Sequence, residues 1–148
     1  MRSIKTILGN RETHTVNPSE SVRRAVQVMV SHDVGSVPVV DGDRVVGIFT
    51  ERDVMKRVVA NELDADSTAV GTVMSTQLVL ANSDESYEAC LRRMQESHVR
   101  HLIVLDQNRM SGVVSLRDLM AVDLSEKVEE LSMLNAYVHH VPGSAPTS

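Results

Sequence analysis

The chain has 148 residues, 42% of them hydrophobic, a net charge of −5, one cysteine and only three aromatic residues, Phe49, Tyr87 and Tyr137. No basic excess is available for general nucleic-acid binding, aromatic platforms for stacked bases are nearly absent, and Cys90 has no partner for an internal disulfide. No apolar run approaches the roughly 18 residues of a membrane span, and the first five residues lack the apolar core of a signal peptide. The expectation is therefore a cytoplasmic protein with neither nucleic acid nor membrane as a main partner.

The first element predicted in chain order is a helix after Asn17-Pro18-Ser19-Glu20, with Asn17 as cap, Pro18 at the first helical position and Glu20 reaching back. Val22, Ala25, Val26 and Met29 form its apolar face. The β-branched run Ser36-Val37-Pro38-Val39-Val40 follows, then a tight turn at Asp41-Gly42-Asp43, a return strand Arg44 to Phe49, and a short helix from Thr50. The same order then repeats 65 residues on. Asn82-Ser83-Asp84-Glu85 precedes a helix with Tyr87, Cys90, Leu91 and Met94 on one face. His101 to Leu105, the turn Asp106-Gln107-Asn108, Arg109 to Val114 and a helix from Ser115 complete the copy. Without a gap from Val16 to Met55, the offset matches Glu20 to Glu85, Met29 to Met94, Asp41 to Asp106, Gly47 to Gly112, Arg52 to Arg117 and Asp53 to Asp118. An internal duplication explains this, and a unit of about 55 residues buries too little surface to stand alone.

Beyond the repeat, Asp123-Leu124-Ser125-Glu126 reads as another capping signature. It opens a C-terminal helix over 123–140 with Leu124, Val128, Leu131, Leu134 or Asn135, and Val138 on one stripe, and 141–148 reads as a disordered tail.

Gly47-Ile48-Phe49-Thr50-Glu51-Arg52-Asp53 and Gly112-Val113-Val114-Ser115-Leu116-Arg117-Asp118 resemble the signature of the CBS domain. The runs Gly35 to Asp41 and Arg100 to Asp106, and Val73-Met74-Ser75-Thr76, fit that family as well. The resemblance, over roughly residues 4 to 122, implies an α/β (α+β) fold. Two pseudo-symmetric β-α-β-β-α repeats, about 8–62 and 73–122, would pack sheet to sheet within a pair spanning 1–122. It also implies a homodimer and two clefts for an adenosine-containing ligand: AMP, ADP or ATP, with S-adenosylmethionine and NAD as further candidates.

Thr50-x-x-Asp53 and Ser115-x-x-Asp118 are capping boxes, which alone explains their spacing. The resemblance adds ribose hydroxyls on the two Asp carboxylates and phosphate near Thr50 and Ser115. Gly47 and Gly112 mark either close packing or room for a ligand. One cleft is expected to use Ser115, Asp118, Arg100 and His101, with His14 and Thr15 behind the base. The other is expected to use Thr50 and Asp53, with Leu80 and Ala81 behind the base and the uncharged Gly35 and Ser36 in place of Arg100 and His101. On that reading the Ser115–Asp118 cleft prefers phosphate, the more so as pH falls through about 6.5. Arg52 and Arg117 stand either as phosphate contacts or as solvated helix faces. Cys90 reads as a core residue.

No nucleophile–base pair, metal cluster or phosphate loop is present, so neither enzyme chemistry nor a cofactor is expected. The reading is an adenine-nucleotide-sensing regulatory module that signals to an effector protein. The alternative is a ligand-free interaction module acting through dimerisation and its C-terminal helix. The dimer contact is expected on Val54, Val58, Val59, Leu119 and Met120.

Overall fold

The computed structural model describes residues 2–140, so the expected tail at 141–148 lies outside the described residues. The order is α1 (Ile4–Leu8), α2 (Val22–Ser31), β1 (Ser36–Asp41), β2 (Arg44–Thr50), α3 (Glu51–Asp53), β3 (Leu80–Asn82), α4 (Tyr87–Ser97), β4 (His101–Asp106), β5 (Arg109–Ser115) and α5 (Leu116–His140). A wider π turn, Val54–Val59, prolongs α3, and a 3-10 turn, Val70–Thr72, leads toward the second repeat.

The duplication is visible in three dimensions. β1–β2 and β4–β5 are antiparallel hairpins in the same register, with Ser36 opposite Thr50 and His101 opposite Ser115. Both carry an irregularity at the same place, Val39/Val40 and Val104/Leu105. The turns use positive φ at Gly42 in one copy and at Gln107 and Asn108 in the other.

The lead-in strands differ. β3 runs parallel to β4, and Ile103 N–H donates to the Val79 carbonyl at 3.0 Å. The counterpart of Ile103 is Pro38, which has no N–H to give. The first repeat therefore keeps only one parallel bridge, Val16 to Val39.

Helix starts lie later than the sequence suggested. Ser21 and Ser86 cap α2 and α4, accepting from the Arg24 and Ala89 amides. The Asn-x-x-Glu segments close turns just upstream, where Glu20 and Glu85 accept from the amides of Asn17 and Asn82. The turn shape consumes the signature before the helix begins.

Each repeat has its own core, and each core borrows from the lead-in segment of the other. Val70 and Val73, at the head of the second repeat, are buried with Val22, Val39 and Phe49 of the first. Ile4 and Leu8 of α1, an element the sequence reading did not anticipate, are buried with Tyr87, Leu102 and Val114 of the second. Gly47 and Gly112 make these crossings possible. A Cβ on Gly47 would collide with Met74 and Ser75, and one on Gly112 with Leu8. Close packing is thus the role that geometry assigns to both glycines.

No separate C-terminal helix starts at Asp123, because α5 is continuous from Leu116 to His140 and contains neither Gly nor Pro. Asp123 and Glu126 instead lie 3.1 and 2.9 Å from the hydroxyl of the buried Tyr87, which ties the middle of α5 to α4. Burial first, then these carboxylates, push the Tyr87 phenol up from its usual range. Beyond that point Leu124, Val128, Leu131, Leu134 and Val138 are exposed.

Candidate functional site

Both signature segments sit where a strand ends and a helix starts, so the capping geometry forms in each. Thr50 Oγ1 accepts from the Asp53 amide at 3.2 Å while Asp53 Oδ2 accepts from the Thr50 amide at 3.0 Å. Ser115 and Asp118 make the same reciprocal pair at 3.0 Å in both directions. Capping leaves lone pairs on each carboxylate, and each carboxylate also lines a cleft between the two repeats.

The first cleft, about 730 Å³, runs from Thr50, Arg52 and Asp53 across Ser75–Val79 to Arg100 and His101 of the opposite repeat. The second, about 1330 Å³, lies between Ser115, Arg117 and Asp118 and the segment containing Gly35 and Ser36, with Arg11 at one side. Glu51, Arg100 and His101 line both clefts.

Several expectations are corrected by this arrangement. Arg100 and His101 are not confined to the Ser115–Asp118 cleft. Strand register sets His101 beside Ser115, while the packing of repeat on repeat turns it toward Thr50 as well. Gly35 and Ser36 line the Ser115–Asp118 cleft rather than the other, because each repeat faces the signature of its neighbour. Leu80 and Ala81 are too far along the lead-in strand: Ala81 is buried in the second core, and the cleft wall is Ser75–Val79. His14 and Thr15 line neither cleft. With no strand to hold it, His14 stacks on His32, ring centroids 3.3 Å apart.

Each signature carboxylate already has a partner from the opposite repeat's lead-in segment. Ser75 Oγ lies 3.0 and 3.1 Å from the two oxygens of Asp53, which is only 6% exposed. Arg11 Nη1 donates to Asp118 Oδ2 at 2.9 Å. Partial burial pushes the Asp118 carboxyl up, but Arg11 and the Ser115 amide and hydroxyl outweigh it and hold the group below its ordinary value. Arg57 reaches back from the π turn, Nε 3.6 Å from Asp53 Oδ1, and donates to the Met74 carbonyl at 2.7 Å. Burial pushes the His101 imidazole down, only partly offset by Glu51 and Asp118. The pH at which it gains a charge for phosphate therefore lies below the expected 6.5.

Arg11, Lys56, Arg57 and Ser75 were missed as site residues. Ser75 belongs to the Val73-Met74-Ser75-Thr76 segment that fits the family, a match that by itself marks no contact to Asp53. Extending the offset of 65 upstream pairs Thr76 with Arg11, the signal that would have found that arginine. Cys90 is buried as expected, and burial first pushes its thiol up. Of the expected dimer residues, Val58 and Leu119 belong to the protein's own cores. Their neighbours Met55, Val59, Met120 and Leu124 are the exposed ones.

Two copies of a sheet-and-helix repeat, with a capped Asp at each inter-repeat cleft, define a tandem-repeat architecture. The chain matches the CBS domain over residues 4–60 and 70–125, and it belongs to that family. It is 33% identical to the CBS domain-containing protein YhcV of Bacillus subtilis over 135 residues, 91% of this chain and 95% of that protein. A putative signal-transduction protein with CBS domains from Burkholderia ambifaria has a solved structure with TM-score 0.78 and 30% identity, covering 84% of this chain and 95% of that one. Hypoxic response protein 1 of Mycobacterium tuberculosis is 30% identical over 70% of this chain and 73% of its own length. A crystal structure of Hypoxic Response Protein I has two coordinated zinc ions (TM-score 0.69, 27% identity, covering 81% of this chain and 98% of that one). Among the described residues of the present chain, no group of three or more His, Cys, Asp or Glu side chains could hold a metal ion. No helix among them is long and apolar enough to cross a membrane.

Proposed function

We propose that the protein is a regulatory module that binds an adenosine-containing ligand between its repeats and passes that event to a partner protein. The carrying observation is that Asp53 and Asp118, the acceptors suited to ribose hydroxyls, each line an inter-repeat cleft that also contains cationic side chains. A ligand there touches both repeats at once, so its binding energy is available to change how they sit together. AMP, ADP and ATP are the leading candidates, with S-adenosylmethionine and NAD after them. The test is a thermal-denaturation panel of these compounds. A ligand present at 100 times its dissociation constant is expected to stabilise the fold by about 2.7 kcal/mol. No change in melting temperature with any of them would reject the reading.

A second reading, an interaction module with empty clefts, is favoured by one observation: Ser75 and Arg11 already satisfy the two signature carboxylates. Both readings use a homodimer. Met55, Val59, Met120 and the Leu124–Val138 stripe leave an apolar surface that a lone copy does not cover. Light scattering at tens of micromolar is expected to give twice the 16.3 kDa chain mass, and a monomer mass would overturn the dimer.

A further inference from the structure

The duplication predicts two equivalent clefts, but their charges differ. The Thr50–Asp53 cleft is lined by four cations, Arg52, Lys56, Arg57 and Arg100, against two carboxylates, Glu51 and Asp53. The Ser115–Asp118 cleft sets its four cations, Arg11, Arg100, Arg117 and Lys127, against four carboxylates, Asp33, Glu51, Asp118 and Asp123.

Pairing widens the difference. In the second cleft Arg11 is bound to Asp118 at 2.9 Å and Lys127 to Asp123 at 3.1 Å. In the first, only Arg57 is held, by Asp53 and by the Val73 and Met74 carbonyls. Among the described residues, no carboxylate lies within ion-pairing distance of Arg52, Lys56 or Arg100. The repeat alignment locates the source of the asymmetry. Lys56 and Arg57 correspond to Ala121 and Val122, so the helix after the first signature carries two cations that its copy lacks. Arg11 corresponds to Thr76 and Lys127 to Glu62, so both cations that the second cleft gains are spent on carboxylates of its own lining.

We propose that the Thr50–Asp53 cleft is the polyanion-selective one, with Lys56 as its specificity-determining cation and a nucleoside di- or triphosphate as its class of ligand. The Ser115–Asp118 cleft is charge-balanced and discriminates little between a nucleoside and its phosphates. This reverses the order expected from Arg100 and His101, which the two clefts share. It rests on the proposed binding of adenosine compounds for the nucleoside half of the ligand. The charge asymmetry itself does not depend on that reading.

The experiment replaces Lys56 by the residue that its repeat partner carries. Lys56 is exposed on a helical turn, so Lys56→Ala leaves the cores intact. Calorimetric titration with ATP is expected to show a tenfold to hundredfold loss of affinity in Lys56→Ala, the size of one charged-donor contact to phosphate. Adenosine should bind within about twofold of the unaltered protein, and Arg117→Ala should cost less ATP affinity than Lys56→Ala. Equal ATP affinity before and after Lys56→Ala, or a larger loss in Arg117→Ala, would overturn the proposal. A parallel arm uses inorganic tripolyphosphate alone and follows backbone amide resonances. Shifts centred on Thr50 to Arg57 support the polyanion site even if no adenosine compound binds, in which case the nucleotide reading fails and this one stands. Shifts centred on Ser115 to Ala121, or none at either cleft, sink it.

Discussion

Phe49→Ala is expected to destabilise the protein by about 3–5 kcal/mol, the range for deleting a fully buried aromatic ring. Phe49 has no exposed surface, is the sole phenylalanine, and is the one aromatic ring in a first-repeat core otherwise built of Val, Ala and Met. Its core companions are mostly valines, stiff at χ1 and anchored on α2, β1, the π turn and the lead-in segments, so they cannot collapse far into the hole. For a domain whose whole stability is of the order of 5–15 kcal/mol, this is a large share. The loss should be felt by both repeats, because Val70 and Val73 belong to the first core while Ile4 and Leu8 belong to the second. Urea unfolding followed by circular dichroism, and by fluorescence of Tyr87 in the second core, should give coincident transitions shifted to lower urea. Separate transitions would mean that the exchanged lead-in segments do not couple the repeats.

The second large effect is expected at Gly47. A Cβ there would overlap Met74 Sδ and stand 2.8 Å from its Cγ and 2.9 Å from the Ser75 carbonyl oxygen. A methionine tip can turn aside, but the carbonyl cannot: Ile48 and Ser75 exchange both backbone hydrogen bonds at 2.9 Å. Gly47→Ala therefore has to lift the linker off β2, at a cost of about 3 kcal/mol. The same displacement draws the Ser75 hydroxyl away from Asp53. Gly112→Ala is the internal control. The three atoms nearest to its Cβ would all be side-chain atoms, Leu8 Cδ1 and Cδ2 at 2.7 and 2.9 Å and Thr13 Oγ1 at 3.1 Å, so a smaller cost is expected. Chemical denaturation of the two variants side by side decides the point. Equal losses would show that the linker yields as readily as a side chain.

Local chemistry in the sequence determined the repeat, the paired hairpins, the buried faces of α2 and α4, and both capped Asp residues. Each depends on residues a few positions apart: a two-residue turn, a helical period, an [ST]-x-x-D box. Pro38, whose repeat counterpart is Ile103, was also written there. Its consequence, a first lead-in strand cut to one bridge and His14 left to stack on His32, emerged only from the parallel pairing. What the tertiary structure alone decided is which segments meet across the repeats. Arg11 and Asp118 are 107 residues apart, and no local pattern marks them as partners. The exchange of lead-in segments between cores, the sharing of Arg100 and His101 by both clefts, and the unbroken run of α5 past Asp123 have the same origin. They follow from how two amphipathic units bury their remaining apolar faces against each other, an interaction between surfaces that each unit's own sequence leaves unspecified.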